Sequence, residues 1–471
     1  MKKKSLIKTI LPLFVLFPSV LSLGACGNNV ESDYRAYDIE KDGDPTSLSA
    51  KVTFWHTMSQ QGQKMLDDQI AAFNKVYPDI VIDHSAQGDY NGLRDKLVKA
   101  IPAGTTPTMA FCYPDHVAEY LSSGATEEMG QYTTDPVVGF DKDDTESGGV
   151  SDFIDEFWQE GQVYAEKGIY SLPYAKSTEV IYYNKTEFDK KGYTMPKTWD
   201  GLWTLCRQIK KDYSSVDSFV PLGINSDDNM FITFCEQMNI PFTSAAGEEH
   251  YLFNNDQAKA LIRTLKGYYD EGLFVTEGTS ENNNYTSNRF VKGASKNGSL
   301  MFIGSTGGTS YAWPNGGPSK AFEVAVAVPP SIDEKKPAVI TQGPSITFFK
   351  RSSLKEKYAA WLFYKWITNT DNSAEYALLT GYEPVRNSSY ETDAYKEMLA
   401  TPVDPDSDDK TMLFAAVANT TVTMKKSYFS SPVFVGSSKA RDAVGEIFPA
   451  VALNEKTIDE AFDEALKRCV F

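Results

Sequence analysis

The side chains able to do chemistry in this 471-residue chain point to recognition rather than bond-making. Its four histidines, His56, His84, His116 and His250, are scattered and show none of the spacings of a metal site. Neither a Gly-x-Ser-x-Gly elbow nor a His-Glu-x-x-His run occurs. With 63 Asp and Glu, a carboxylate pair for glycoside hydrolysis can always be found, so abundance singles none out. A glycine-rich loop, residues 304–313, follows a strand pattern and could cradle phosphate. It lacks both the Gly-Lys-Ser/Thr ending of a P-loop and the glycine spacing of a dinucleotide site. What the residues themselves offer is a few aromatic and acidic side chains in loops beyond strand ends, Trp55, Tyr90 and Asp115. Aromatic faces stack on the C–H surfaces of sugar rings, while carboxylates and hydroxyls orient polar groups. For Trp55 and Trp199 a place in the core is the equal alternative, and His56 reads as a structural histidine.

Composition sets limits on partners. Net charge is −17, which argues against nucleic acid, because phosphate binding needs a basic surface. The length suggests roughly three domains, or two large ones. Residues 1–25 read as a targeting segment: Lys2, Lys3, Lys4 and Lys8 precede an apolar run that holds Pro12 and Pro18. It ends Leu23-Gly24-Ala25-Cys26, similar to the lipobox of bacterial lipoproteins, in which that cysteine becomes the lipidated N-terminus. Residues 26–47 are polar and acidic and read as a flexible tether. Cys112, Cys206, Cys235 and Cys469 fit no zinc or redox motif; they read as buried free thiols, with one disulfide as the alternative.

The elements that must position these residues follow from periodicity. Residues 51–55, 80–82 and 109–113 read as strands separated by amphipathic helices, the order of a parallel sheet with helices on its faces. Ligands meet such sheets at the loops beyond the strands' carboxyl ends, here residues 55–58, 88–90 and 113–115. Residues 153–166 read as one helix. The stretch 171–199 then organises the rest: a turn at Leu172-Pro173-Tyr174, a polar step Lys176-Ser177-Thr178, and a buried strand ending at Asn184-Lys185. Gly192 suits a helix C′ position, and Thr198 is the N-cap of the next helix. This stretch reads as a crossing from one lobe to the other. Residues 322–328, alternating and closed by Pro329-Pro330, read as the second crossing.

Six features in order resemble family 1 extracellular solute-binding proteins, the substrate receptors of ABC importers for sugars and glycerol phosphates. They are the lipobox, Phe54-Trp55-His56-Thr57-Met58, residues 173–185, residues 196–199, the Gly304 loop and Gly381-Tyr382-Glu383-Pro384. The resemblance spans residues 51–471. It implies an α/β, two-lobed, type II maltose-binding-like fold with a hinge and an interlobe cleft. Residues 48–174 with 326–371 would form lobe 1, and residues 175–325 with 372–471 lobe 2. Within the glycerol-3-phosphate-binding subgroup, ligand contacts match Tyr90, Ser177, Trp199, Ser305, Gly343 and Tyr382. An acidic contact falls at Pro114, one position from Asp115. The subgroup's phosphate-binding arginine falls near Phe434, so the cation is missing there and the match speaks against a phosphorylated ligand, with Arg441 and Arg386 as candidate substitutes.

The expectation is a monomeric lipoprotein on the extracellular face of a bacterial cell membrane, without cofactor or catalytic residues. It would capture a carbohydrate or polyol and deliver it to ABC permease subunits. The alternatives are a glycerol-3-phosphate or glycerophosphodiester receptor, a surface glycoside hydrolase, and an adhesin-like use of the same fold.

Overall fold

A computed structural model describes residues 33–140, 149–314, 321–401 and 410–470. Cys26, the segment 1–25 and part of the loops at 139–150 and 401–410 lie outside the described residues. Twelve strands occur among those described: β1 (Ala50–His56), β2 (Ile80–Ala86), β3 (Met109–Cys112), β4 (Leu172–Pro173), β5 (Ser177–Asn184), β6 (Leu222–Ile224), β7 (Phe274–Thr276), β8 (Met301–Ser305), β9 (Val324–Ala327), β10 (Val339–Gln342), β11 (Ser345–Phe348) and β12 (Tyr428–Phe429).

The first sheet runs β2-β1-β3-β11-β4. The parallel half, β2-β1-β3, is joined by the helices Gln60–Phe73 and Tyr90–Ala103, as the βαβαβ pattern predicts. Val52, Phe54 and His56 alternate onto the buried face of β1. Ser59 and Asp89 cap the two helices, each side chain accepting an N–H of the first turn. Two antiparallel strands, β11 and β4, complete the sheet. Its core gathers Phe54, Phe73, Phe111, Trp361 and Phe363.

The second sheet runs β12-β10-β5-β8-β6-β7, with β9 also on β5. A separate core lies on it, built from Trp199, Leu202, Phe231, Phe274 and Phe448 among others. The two cores make two lobes, and the chain crosses between them more than once. The first crossing lies between β4 and β5, inside the stretch 171–199. Thr198 accepts the Gly201 N–H, and Gly192 is left-handed at φ 68°, both as the sequence predicts.

The second crossing is not at residues 322–328. Val324–Ala327 pairs with Tyr183 and its neighbours in the second sheet, with all four of its residues half-buried. The chain changes lobe between Gln342, on β10, and Ser345, on β11. The lobe boundary expected at 371/372 shifts too. Helix Thr370–Thr380 packs on helix Gln60–Phe73 and places Tyr376 in the first core. Residues 153–166 do not form one helix. Asp155–Gln159 is helical, but the Gly161 carbonyl accepts the Tyr170 N–H instead of continuing the helical ladder.

The tether expectation also changes from Asp33 onward. Tyr37 and Leu48 are buried in the first core, and the Tyr37 N–H donates to Asp135 at 2.8 Å. Arg35 forms a two-pronged pair with Asp42, and Asp33 pairs with the buried Lys357. Sparse but well-placed aromatics hold this polar stretch on the first lobe. Cys112, Cys206, Cys235 and Cys469 are free and buried. No described helix is long and apolar enough to cross a membrane.

Candidate ligand cleft between the lobes

Tyr113 ends β3, and Pro114 starts the helix Pro114–Ser122 with Asp115 in its first turn. The Tyr113 ring stacks on Tyr90, the first residue of helix Tyr90–Ala103, with centroids 4.1 Å apart and planes 20° off parallel. Tyr90 is hydrogen-bonded in turn to Tyr382. The lobe 1 wall is therefore three tyrosines with a carboxylate beside them. Tyr90, Asp115 and Tyr382, expected at the ligand, are brought together. Tyr113 was legible only as part of a strand-end loop.

The lobe 2 wall is a polar network. Arg441, on helix Ser437–Gly445, pairs with Asp228 at 2.8 Å and donates to the Asn229 side-chain oxygen. The Asn229 amide donates to Glu179 at 3.0 Å and to Gln342 at 3.1 Å. Gln342 is the β-partner of Ser177, and Glu179 that of Ser305. Burial opposes the charge on Arg441, but Asp228, then Asp115, keep its pKa above the ordinary value. Burial pushes the Glu179 carboxyl up to about 7. Of the two arginines expected as substitutes, Arg441 is the one that lines the cleft, whereas Phe434 stacks on His250. Arg386 does not serve: it is fully buried, its guanidinium over the Phe153 ring.

At the crossings the backbone itself is tight. Gly343 has φ +133°, and a Cβ there would sit 2.4 Å from the Ala175 carbonyl oxygen. Ser177 is buried, its carbonyl accepting from Thr341. The glycine-rich loop caps itself: the Ser305 hydroxyl accepts the Gly307 N–H, and Gly307 lies flat against the Tyr382 ring. The loop therefore meets the cleft aromatic.

Beneath the cleft, Lys176 is fully buried and pairs with Glu160, whose second oxygen accepts from Ser430 at 2.9 Å. Glu160, Gln342, Ser430 and Arg441 line one cavity with Tyr113 and Asp115. That cavity is about 50 Å³, far below the several hundred Å³ a small-molecule site needs. Arg94, on lobe 1, pairs with Asp442, on lobe 2, at 3.1 Å across the mouth. The lobes are shut, and ligand entry requires them to part.

One expected contact falls elsewhere. Trp199 is in the second core, stacked near Trp203 and Phe234, with its indole N–H donating to Gln237 at 3.0 Å. Trp55 is half-buried near the end of β1 and packs against the first core; like Tyr90 and Tyr382 it does not line the small cavity. His56 is buried as a structural histidine, 2.9 Å from His84 and accepting the Met58 N–H. Asn229 and Glu179, which the sequence did not single out, carry no local signal; the pairing of β5 with β8 and β10 and the packing of helix Asp227–Met238 on β10 bring them to the cleft.

Two α/β lobes, linked by extended crossings and shut over a polar, aromatic-walled cleft, define a clamp that closes on a small molecule. The profile of the bacterial extracellular solute-binding protein family matches residues 68–403. The chain belongs to that family. It is 24% identical over 441 residues to the sn-glycerol-3-phosphate-binding periplasmic protein UgpB of Escherichia coli K12, covering 88% of this chain and 91% of that protein. Its fold is shared by UgpB of Mycobacterium tuberculosis in complex with glycerophosphocholine, at TM-score 0.70 and 18% identity, covering 89% and 98% of the two chains. Maltose-bound MalE3 of T. maritima is similar at TM-score 0.69 and 19% identity, covering 89% and 99%.

Proposed function

We propose that this solute-binding protein captures a hydroxyl-rich compound without a phosphate, a carbohydrate or related polyol, and delivers it unchanged to an ABC importer. Stacked Tyr90 and Tyr113 offer a face for a sugar ring, and Asp115, Asn229, Gln342 and Arg441 surround it with donors and acceptors. The observation that carries the reading is the state of Arg441. Its charge is already taken by Asp228, and Asp115 and Glu179 add negative charge nearby. A phosphate dianion entering this cleft would meet carboxylates and no free cation. The maltose-bound neighbour favours the same reading by analogy of fold.

The runner-up is a glycerophosphodiester or glycerol-3-phosphate receptor, favoured by the names of the relatives and by the presence of an arginine in the cleft. Calorimetry with oligosaccharides, polyols, glycerophosphocholine and glycerol 3-phosphate separates them. The reading expects heat from a carbohydrate or polyol at micromolar affinity, about −8 kcal/mol. Heat from the phosphate compounds alone would establish the runner-up instead. Turnover of a chromogenic glycoside would contradict both and favour a hydrolase.

Asp115, Tyr90, Ser177, Ser305, Gly343 and Tyr382 are the proposed ligand or hinge positions, with Tyr113, Asn229, Gln342 and Arg441 added. The sequence Leu23-Gly24-Ala25-Cys26 supports anchoring by lipid at Cys26, so that a monomeric receptor works at the outer face of the membrane. Both acyl chains on Cys26 are read directly by mass spectrometry of the membrane-extracted protein.

A further inference from the structure

Beyond the Asp228–Arg441 pair, on the solvent side of the cleft, lies a second interlobe space of about 690 Å³. Asn91 of lobe 1 faces Asp227, Glu277 and Asp442 of lobe 2 across it. Most of its charges are matched: Asp228 by Arg441, Asp442 by Arg94, and Glu446 by Arg468. Two are not. Neither Asp227 nor Glu277 has an ion-pair partner among the described residues. Asp227 is only 8% exposed, and its Oδ1 has no hydrogen-bond partner, while Oδ2 accepts the Gly278 N–H at 2.8 Å. A buried carboxylate left in this condition either stays protonated or takes a cation.

From this geometry we infer that Asp227 and Glu277 form a subsite for an ammonium group carried by the polyhydroxylated solute, so that the ligand is an amine-bearing sugar or polyol. The inference rests on the solute-binding reading and adds to it. An ammonium has three donors and no acceptor, which suits an orphaned carboxylate oxygen, a second carboxylate and the Asn91 side-chain carbonyl. The remainder of the solute would extend past Asp228 toward the Tyr90–Tyr113 stack. A metal ion is the poorer occupant, because no group of three or more His, Cys, Asp or Glu among the described residues is placed to hold one. The titration of the two groups agrees. Burial, then for Glu277 the Asp227 charge, raises both carboxyls to about 7, as expected of a site awaiting a cation.

The test is calorimetry on the full chain with matched pairs: glucosamine against glucose, galactosamine against galactose, and the N-acetyl form of each amine. The subsite predicts that at least one amine binds about tenfold or more tightly than its hydroxyl and N-acetyl counterparts, a preference that weakens with salt. Because each carboxyl is half protonated near neutral pH, binding at pH 7 should release up to about one proton, read by repeating the titration in buffers of different ionisation enthalpy. In Asp227→Asn/Glu277→Gln the amine-to-hydroxyl affinity ratio should fall to within about twofold of unity. Proton release is measured on the unaltered protein, so the inference stays testable if that variant does not fold. Neutral sugars binding without amine preference would overturn the subsite and leave the solute-binding reading standing. Heat from calcium chloride that the double variant abolishes would replace the subsite by a metal site. Heat from no member of any pair would sink the carbohydrate reading, and the subsite with it.

Discussion

Replacing Lys176 by Met should destabilise the protein by about 3–5 kcal/mol, the cost of leaving one member of a buried ion pair uncompensated. The structure supports a value in that range and not the fraction of a kcal/mol typical of surface pairs. The Lys176 side chain is 0% exposed and that of Glu160 8%. Solvent cannot replace the lost ammonium, and the carboxylate keeps only the Ser430 hydroxyl as a partner. The pair also sits where the crossings meet. Lys176 exchanges backbone hydrogen bonds with Glu383, and its Nζ lies 3.4 Å from the Ser345 hydroxyl at the second crossing. Glu160→Gln should cost a similar amount for the converse reason, a buried ammonium without its counter-charge. The double variant should recover much of the loss, because two neutral groups of similar size need no compensation. Urea unfolding followed by tryptophan fluorescence gives the three values, and the double-mutant cycle should show a coupling at least as large as either single loss, about 3–5 kcal/mol. If Lys176→Met costs less than about 1 kcal/mol, or if the two single losses simply add, the pair is not the keystone of the hinge and the reasoning fails.

Gly343→Ala should lower the melting temperature through at least about 2 kcal/mol of strain, since φ is +133° and the new Cβ meets the Ala175 carbonyl at 2.4 Å; an unchanged melting temperature would contradict the tight crossing. Arg94→Ala removes a half-exposed contact made only when the lobes are shut, so ligand affinity should weaken about two- to fivefold, visible by calorimetry. Trp199→Phe should lower stability by about 1 kcal/mol through its lost hydrogen bond to Gln237 while ligand affinity holds within error; a tenfold weaker ligand would return Trp199 to the cleft. Stability should also fall as pH rises from about 4.5 to about 8. Glu179, Asp227, Glu277 and Glu383 titrate near 7 when folded, mainly because of burial, and near their lower ordinary values when unfolded. Between those values the folded state binds more protons than the unfolded one, so raising pH favours unfolding. His56, held by burial at about 4, works in the opposite sense below its ordinary value of 6.5. Thermal melts from pH 5 to 8 check this, and Glu179→Gln with Glu383→Gln should flatten the alkaline limb.

The parts of the fold that depend on neighbours in sequence were legible. The β1–β3 unit announced itself by apolar strands separated by capped helices, and Gly192 and Thr198 mark helix ends by their own backbone chemistry. The first crossing was legible because Leu172-Pro173-Tyr174 breaks the chain before a long apolar strand. The second crossing was not, because Gln342, Gly343 and Pro344 carry no periodicity, whereas the alternating sequence of residues 322–328 suits a strand inside one sheet as well as a crossing. Trp199 illustrates the limit for single residues. Its type suits both a sugar platform and a core, and only the helices stacked around it decide. Tyr90 and Tyr382 were suggested by the subgroup's pattern, and Asp115 by its place one residue from that pattern in a strand-end loop; the fold brings Tyr90 and Tyr382 into contact. Arg441 and Asn229 sit mid-helix, where nothing local distinguishes a cleft residue from a surface one.

The central claim is that two lobes close on a solute. Lys96→Cys and Lys439→Cys place spin labels on exposed positions of facing helices, one on each lobe, while the four native body thiols are buried. Pulsed electron paramagnetic resonance on this variant should show a long or broad distance without ligand. Saturation with a carbohydrate that binds calorimetrically should shift it to a single shorter one. An identical distance distribution with and without that bound sugar would contradict the clamp.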